Sequence, residues 1–231
     1  MGKRLTKQAR GKGSLTYRVR PKAYRYKISY PSLNASGKAR IAKLFNSSAH
    51  SSPLIEVRIN KEKFIIPAPN GIYEGQEIEI NGSAQIGNIL KLQDIPQGTK
   101  VFNVETVPGN GGKILRSAGC NGTIMGKDDK RVEIIIRRRK IKLNKDCRAT
   151  VGVVAGDGRT AKPFVKAGKM HHLMLSKGRK WHRTSAVKTN AVDHPFGSGR
   201  GKRIKSKIAK RNAPPGRKAG HIRPKRTGKR K

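Results

Sequence analysis

Leu54-Ile-Glu-Val-Arg-Ile59 alternates apolar and polar residues over one strand length, which puts Ile55, Val57 and Ile59 on one face and Glu56 and Arg58 on the other. That period of two belongs to a strand with one buried face. The neighbouring sequence repeats it. Ile41-Ala-Lys-Leu-Phe45 is a short apolar run ahead of the Ser-rich break Ser47 to Ser52, and Asn60-Lys61 turns into Glu62-Lys-Phe-Ile-Ile-Pro67. Asn70-Gly71 marks another tight turn, and Gln76-Glu-Ile-Glu-Ile80 alternates again before Asn81-Gly82. Short strands, Gly-containing turns and no helix-length periodicity predict a mainly β fold, with an OB-type barrel over residues 35–90.

A second block runs over residues 91–155. Lys100-Val-Phe-Asn-Val-Glu105, Ala118 to Met125, Arg131-Val-Glu-Ile-Ile-Ile136 and Cys147 to Val154 read as strands, which predicts an SH3-like barrel. The run Arg137, Arg138, Arg139 and Lys140 sits at a strand end and faces outward. Val107-Pro-Gly-Asn-Gly-Gly-Lys113 is glycine-dense enough to suggest a phosphate loop. The Walker spacing fails, because Val107 stands where the first glycine is needed and Ile114 follows Lys113. Nucleotide hydrolysis is excluded on that ground.

Charge separates these blocks from the chain ends. Among 231 residues, 54 Lys and Arg against 13 Asp and Glu give a net +41. Residues 1–49 carry 13 basic residues and no acid, residues 50–110 carry 5 against 7, residues 111–155 carry 12 against 4, and residues 156–231 carry 24 against 2. A core-forming middle is therefore flanked by two cationic ends, whose self-repulsion a dense array of phosphates would relieve. Nucleic acid is the expected partner. A membrane is not, since the apolar runs are only a few residues long and no lipidation signal is present. The N-terminus lacks the apolar stretch of a signal peptide, so a cytoplasmic location is expected.

The N-terminal arm, residues 1–34, interleaves Tyr17, Tyr24, Tyr26 and Tyr30 with basic residues. Lys3, Arg4, Arg10, Arg18, Arg20 and Arg25 are expected to meet phosphates, and Tyr17 and Tyr24 to stack on bases or sugars. In the barrels Lys113, Arg116, Arg137, Arg138, Arg139 and Arg148 are the candidates. The extension over residues 156–231 offers Lys180, Arg183, Lys188, Arg200, Lys202, Arg203, Arg211, Arg217, Lys218 and Arg226. Beyond residue 196 it has too few apolar residues to fold alone, and residues 1–20 and 197–231 are expected to be disordered in the free protein and ordered by binding. Trp181 has two readings, stacking on a base or packing against the barrel.

The segment Asn190-Ala-Val-Asp-His-Pro-Phe-Gly-Ser-Gly-Arg-Gly201 is a loop that carries a carboxylate, an imidazole and a guanidinium. With Ile95-Pro-Gln-Gly-Thr99, Pro108-Gly-Asn-Gly-Gly112, Arg116-Ser-Ala-Gly119, Cys147-Arg-Ala-Thr-Val-Gly152, Ala213-Pro-Pro-Gly-Arg-Lys-Ala-Gly220 and Arg226-Thr-Gly228, it resembles, in order, the motifs of the universal L-two family of large-subunit ribosomal proteins. Phe196 and the Ala-Pro-Pro-Gly-Arg tail resemble its archaeal and eukaryotic branch, and the compact length points to the archaeal members. The resemblance implies an OB-fold followed by an SH3-like domain, with both ends threaded into large-subunit ribosomal RNA. It implies support of subunit association and tRNA binding. Neighbouring ribosomal proteins and the small subunit at the intersubunit face are the implied protein partners; no homo-oligomer is expected. It also places Asn190, Asp193, His194, Pro195, Phe196 and Gly197 toward the peptidyl transferase region.

Two segments depart from the family pattern. Ser185-Ala-Val-Lys-Thr-Asn190 replaces Arg-Gly-Val-Ala-Met-Asn, so Arg183 or Lys188 must supply any phosphate contact there. Ser47-Ser-Ala-His50 replaces Asp-Pro-x-Arg, which leaves His50 as the cationic candidate at that turn, and only at the pH where it is charged.

No catalytic residue is assigned. Asp193 beside His194 lacks a paired nucleophile or second acid, and positioning of substrates by RNA can supply much of the rate of peptide transfer. Asp193 is expected to cap the turn and His194 to donate to a phosphate or stack on a base. No cofactor or metal is expected. Cys120 and Cys147 form no C-x-x-C, adjacent His171 and His172 diverge, and the cysteines read as reduced core residues. A DNA-compacting protein would share the charge but would need neither barrels nor a fixed Asp-His-Pro loop.

Overall fold

A computed structural model describes residues 4–60, 62–199 and 207–223. The chain divides into two compact units, Pro21–Val165 and a second drawn from both ends, Met1–Arg20 with Lys166–Lys231.

The first unit is mainly β. Its ten strands are β1 Gly37–Phe45, β2 Leu54–Ile59, β3 Glu62–Pro67, β4 Glu77–Ile80, β5 Ile89–Lys91, β6 Lys100–Phe102, β7 Gly122–Lys127, β8 Arg131–Ile136, β9 Arg139–Asn144 and β10 Arg148–Val151. They hydrogen-bond in the order β3-β2-β1-β4-β5-β10-β6-β7-β8-β9. The alternation of Leu54–Ile59 is fulfilled, because Ile55, Val57 and Ile59 are buried while Arg58 is exposed. β1 carries a bulge between Ile41 and Lys43.

Two apolar clusters fill this unit. One gathers Ile41, Ile55, Val57, Ile66, Ile78, Ile80 and Ile89; the other gathers Leu90, Leu92, Val101, Ile124, Ile134, Cys147 and Val151. Consecutive strand residues point to opposite faces, so Ile89 enters the first cluster and Leu90 the second. β5 is thus shared, and the expected division at residue 91 falls at its last residue. Full burial of each Ile or Leu contributes about 1.5–3 kcal/mol, and the two clusters are what hold the ladder in register.

Three strand expectations need correction. β6 stops at Phe102, because Asn103 takes a left-handed φ of 49°. β7 begins at Gly122, not near Ala118. The basic run is not merely a strand end: Arg137 turns with φ 57°, and Arg139–Asn144 return as β9, antiparallel to β8. Ile141 and Leu143 alternate with Lys140 and Lys142 there, an alternation that the density of charge conceals.

In the second unit the ends are not wholly extended. Thr6–Arg10 form a helical turn, α1, whose entry is fixed by the Leu5 N–H donating to Gln8 Oε1 at 3.1 Å. Ala167–Ser176 form α2, and β11 Ile208–Ala209 pairs in parallel with β12 His221–Ile222. Neither α2 nor this strand pair was anticipated from composition.

Candidate nucleic-acid interface

The loop around His194 is tied to itself. The N–H groups of Asp193 and His194 both donate to the Asn190 carbonyl at 3.0 and 3.2 Å, Gly197 N–H donates to His194 O at 2.8 Å, and Ser198 N–H donates to Thr189 O at 3.2 Å. Gly197 lies so close to the Asn190 carbonyl that any Cβ would collide with it. The Phe196 N–H donates to His194 Nδ1 at 3.0 Å, and the two rings lie 4.9 Å apart. With Nδ1 accepting, the neutral ring carries its proton on Nε2, which is left as a donor. Phe196 in turn packs on Gly220, where φ is 75° and a side chain would strike the ring.

This loop lines a cleft of about 1050 Å³ together with Arg4 and Gln8 from the N-terminal end and Lys210, Asn212 and Arg217 from the C-terminal end. A second cleft of about 800 Å³ shares Arg4, Asp193 and His194 and adds Lys180, His182 and Arg183. Of the sequence candidates, Arg4, Lys180, Arg183, Asp193, His194, Pro195, Phe196 and Arg217 are therefore brought together. Arg4, Lys180, Arg183 and Arg217 are exposed, and Asp193 is the acid among the residues lining either cleft. Such a concavity suits a phosphate-bearing chain, with the Nε2–H of His194 as a donor among fixed cations. Gln8, Lys210 and Asn212 were missed; Lys210 directly precedes the candidate Arg211.

The profile of the family described as "Ribosomal Proteins L2, C-terminal domain" matches residues 85–216. The "Large ribosomal subunit protein uL2" of Methanocaldococcus jannaschii is 44% identical over 242 residues, covering 100% of both chains. That of Methanococcus maripaludis is 43% identical over 240 residues, covering 99% of this chain and 100% of the relative. That of Natronomonas pharaonis is 42% identical over 236 residues, with 99% and 97% covered. The chain belongs to the L2 family of ribosomal proteins.

The other candidates of this L2 family member are scattered. Arg10, Arg18, Arg20, Lys188, Asn190, Arg211 and Lys218 are exposed in the second unit, and Tyr17 and Trp181 are half-buried, Trp181 with its ring 4.9 Å from His182. Lys3, Arg200, Lys202, Arg203 and Arg226 lie outside the described residues. In the first unit Arg25, Lys113, Arg137, Arg138 and Arg139 are exposed, and Tyr24 meets His50 edge-on at 5.1 Å. Ser185 and Ala186, the departure from the family pattern, line the second cleft beside exposed Arg183.

Arg148 must be withdrawn from the interface. Its guanidinium is buried against Glu105, with Nη2 at 3.1 Å from Oε1, and Nη1 donates to the carbonyls of Pro31 and Ser32. Arg116 is half-buried and donates to the carbonyls of Gly112 and, more weakly, Ile28. His50 is a cationic contact only at the pH where its ring is charged. Burial, and secondarily the charge of Arg116, hold its pKa below the ordinary histidine value, and Nδ1 lies 2.8 Å from Ser47 Oγ. Its protonation is thereby shifted to lower pH. Burial pushes the Cys147 thiol up to about 11, and among the described residues no three His, Cys, Asp or Glu side chains cluster as metal ligands.

Proposed function

We propose that this protein is a constituent of the large ribosomal subunit, in the cytoplasm, that binds ribosomal RNA through its two cationic ends. Membership of the L2 family supports the ribosomal role, which is structural and not enzymatic. The observation that carries the RNA reading is the cleft in which Arg4, Lys210 and Arg217 converge on the His194 loop. The exposed cations of the second unit bind phosphates, and His194 Nε2–H and Trp181 supply a donor and a stacking face. The Asp193-His194-Pro195 loop shapes the peptidyl transferase region and supports tRNA binding and subunit association without transferring protons itself.

We read the two apolar clusters as an OB-type barrel followed by an SH3-like barrel, sharing β5, with residues 1–34 and 156–231 as RNA-threading arms. Neighbouring ribosomal proteins and the small subunit are the proposed protein partners. Binding to large-subunit rRNA and to duplex DNA at matched salt tests the reading: at least tenfold preference for rRNA is expected, whereas equal affinity would favour DNA compaction.

A further inference from the structure

Asn-Gly occurs four times in the chain, at Asn70-Gly71, Asn81-Gly82, Asn110-Gly111 and Asn121-Gly122. In this dipeptide the asparagine side chain is open to attack by its own main chain, because glycine has no side chain to keep its nitrogen away from Cγ. What holds the glycine N–H then decides whether attack occurs. Two of the four are locked. The Gly111 N–H donates to the buried Glu105 carboxylate at 2.9 Å, and the Asn110 side chain is held by Thr106 Oγ1 at 2.6 Å. Gly122 is the first residue of β7, buried opposite Val101 of β6, and Ile134 and Leu115 close around it so that no further atom fits.

The other two are open. Asn70 and Gly71 are exposed in the link between β3 and β4, and Asn81 and Gly82 in the link between β4 and β5. Among the described residues the N–H groups of Gly71 and Gly82 and the side-chain amides of Asn70 and Asn81 make no hydrogen bond. Glu79, whose carboxylate lies beside Gly82, takes the Ser83 N–H at 3.2 Å instead. Each asparagine is anchored through its own N–H, Asn70 to Val153 O at 2.8 Å and Asn81 to Ile89 O at 2.9 Å. The residue under attack is thus fixed, while no bond resists rotation of the peptide that follows it.

We propose that Asn70 and Asn81 are deamidation sites of the folded protein, converted to aspartate and isoaspartate, and that the fold protects Asn110 and Asn121. The Gly82 nitrogen gives its proton to hydroxide and attacks Asn81 Cγ. The new N–Cγ bond forms, the Cγ–Nδ2 bond breaks, and Nδ2 takes a proton from water and leaves as ammonia, so that hydroxide is regenerated and a five-membered succinimide remains. Water then adds to one of the two ring carbonyls, and the Gly82 nitrogen recovers its proton as the ring opens. Opening at Cγ gives aspartate; opening at the main-chain carbonyl gives isoaspartate, which routes the chain through Cβ and Cγ. The sum is asparagine and water to an acid and ammonia, with no change of oxidation state, and Asn70 with Gly71 follows the same course. Each event adds a negative charge to the first unit, and isoaspartate at position 81 lengthens the main chain just before β5, the strand that both apolar clusters share.

The test incubates the full chain at pH 8 and 37 °C, native and in urea, followed by digestion at mildly acidic pH. Mass spectrometry reads the replacement of the side-chain NH2 by OH at each of the four asparagines, and chromatography separates aspartyl from isoaspartyl peptides. Comparing each native rate with the rate of the same site in urea removes the effect of local sequence. Asn70 and Asn81 are expected to be slowed less than about tenfold by folding and Asn110 and Asn121 more than about tenfold, because a bond to a charged acceptor or a sheet ladder must open before their glycines attack. In N70Q/N81Q the native signal at both turns should disappear. Native reaction of Asn110 or Asn121 at the urea rate, or protection of Asn70 or Asn81 as strong as that of the other two, would overturn the proposal.

Discussion

The guanidinium of Arg148 and the carboxylate of Glu105 meet at 3.1 Å with 4% and 0% of their side chains exposed. Glu105 also accepts the backbone N–H groups of Gly109, Gly111 and Arg148, at 3.3, 2.9 and 2.9 Å. Arg148 lies 5.2 Å over the Tyr30 ring, and the Tyr30 hydroxyl donates to Asn103 O while pairing with Thr150 Oγ1. One ion pair therefore joins β10, the Gly-rich loop at residues 107–113 and the end of the N-terminal arm.

Removing one partner leaves the other charge buried and unpaired, which costs about 3–5 kcal/mol, whereas replacing both costs much less. Arg148→Met is expected to lose that much in urea unfolding, and E105Q/R148M to recover more than half of it. A loss under 1 kcal/mol in Arg148→Met, accompanied by weaker rRNA binding, would return Arg148 to the interface.

His50 is buried enough to favour its neutral form. A depressed folded pKa means that its contribution to stability is full above about 6.5 and is lost as pH falls through the lower folded value. NMR titration should place its pKa below that of free histidine, and H50Q should flatten the acid limb of the stability curve. RNA affinity that rises on titrating His50 between pH 7.5 and 6.5, and not in H50Q, would restore it as a cationic contact.

Cys147 should resist iodoacetamide at pH 8, while half-buried Cys120 reacts first. The folded pKa near 11 exceeds the ordinary value of 9.0, so the stability from its neutral thiol is full below about 9 and is lost as pH climbs toward 11. Equal labelling rates for the two cysteines in the native protein would contradict this placement.

Gly220→Ala forces a side chain into the Phe196 ring at a left-handed φ. The strain, of order 1–3 kcal/mol, should open the bond from the Phe196 N–H to His194. Hydrogen exchange at the Phe196 amide is expected to accelerate about tenfold; an unchanged rate would show that the contact does not hold the loop.

Much of this was legible in residue order because the first block obeys a period of two. Ile55, Val57 and Ile59 announce their face, and Asn-Gly pairs announce the turns. β9 was hidden because four consecutive basic residues read as charge before they read as alternation. Arg148 was misread for a related reason: composition counts cations but cannot see that Glu105, 43 residues earlier, is buried against this one. The clefts were equally out of reach, since Arg4 and Arg217 converge only through tertiary packing. His194, by contrast, stood out from its loop chemistry, although the Nδ1 bond that fixes its tautomer did not.

The His194 loop is proposed to lie against ribosomal RNA. Crosslinking within assembled large subunits, with photoreactive groups placed at Arg183, Lys188 and His194, measures this directly. Crosslinks from all three to large-subunit rRNA, those of His194 falling in the peptidyl transferase region, are the predicted result. Crosslinks only to protein, or none above the level of an exposed control such as Tyr73, would contradict it.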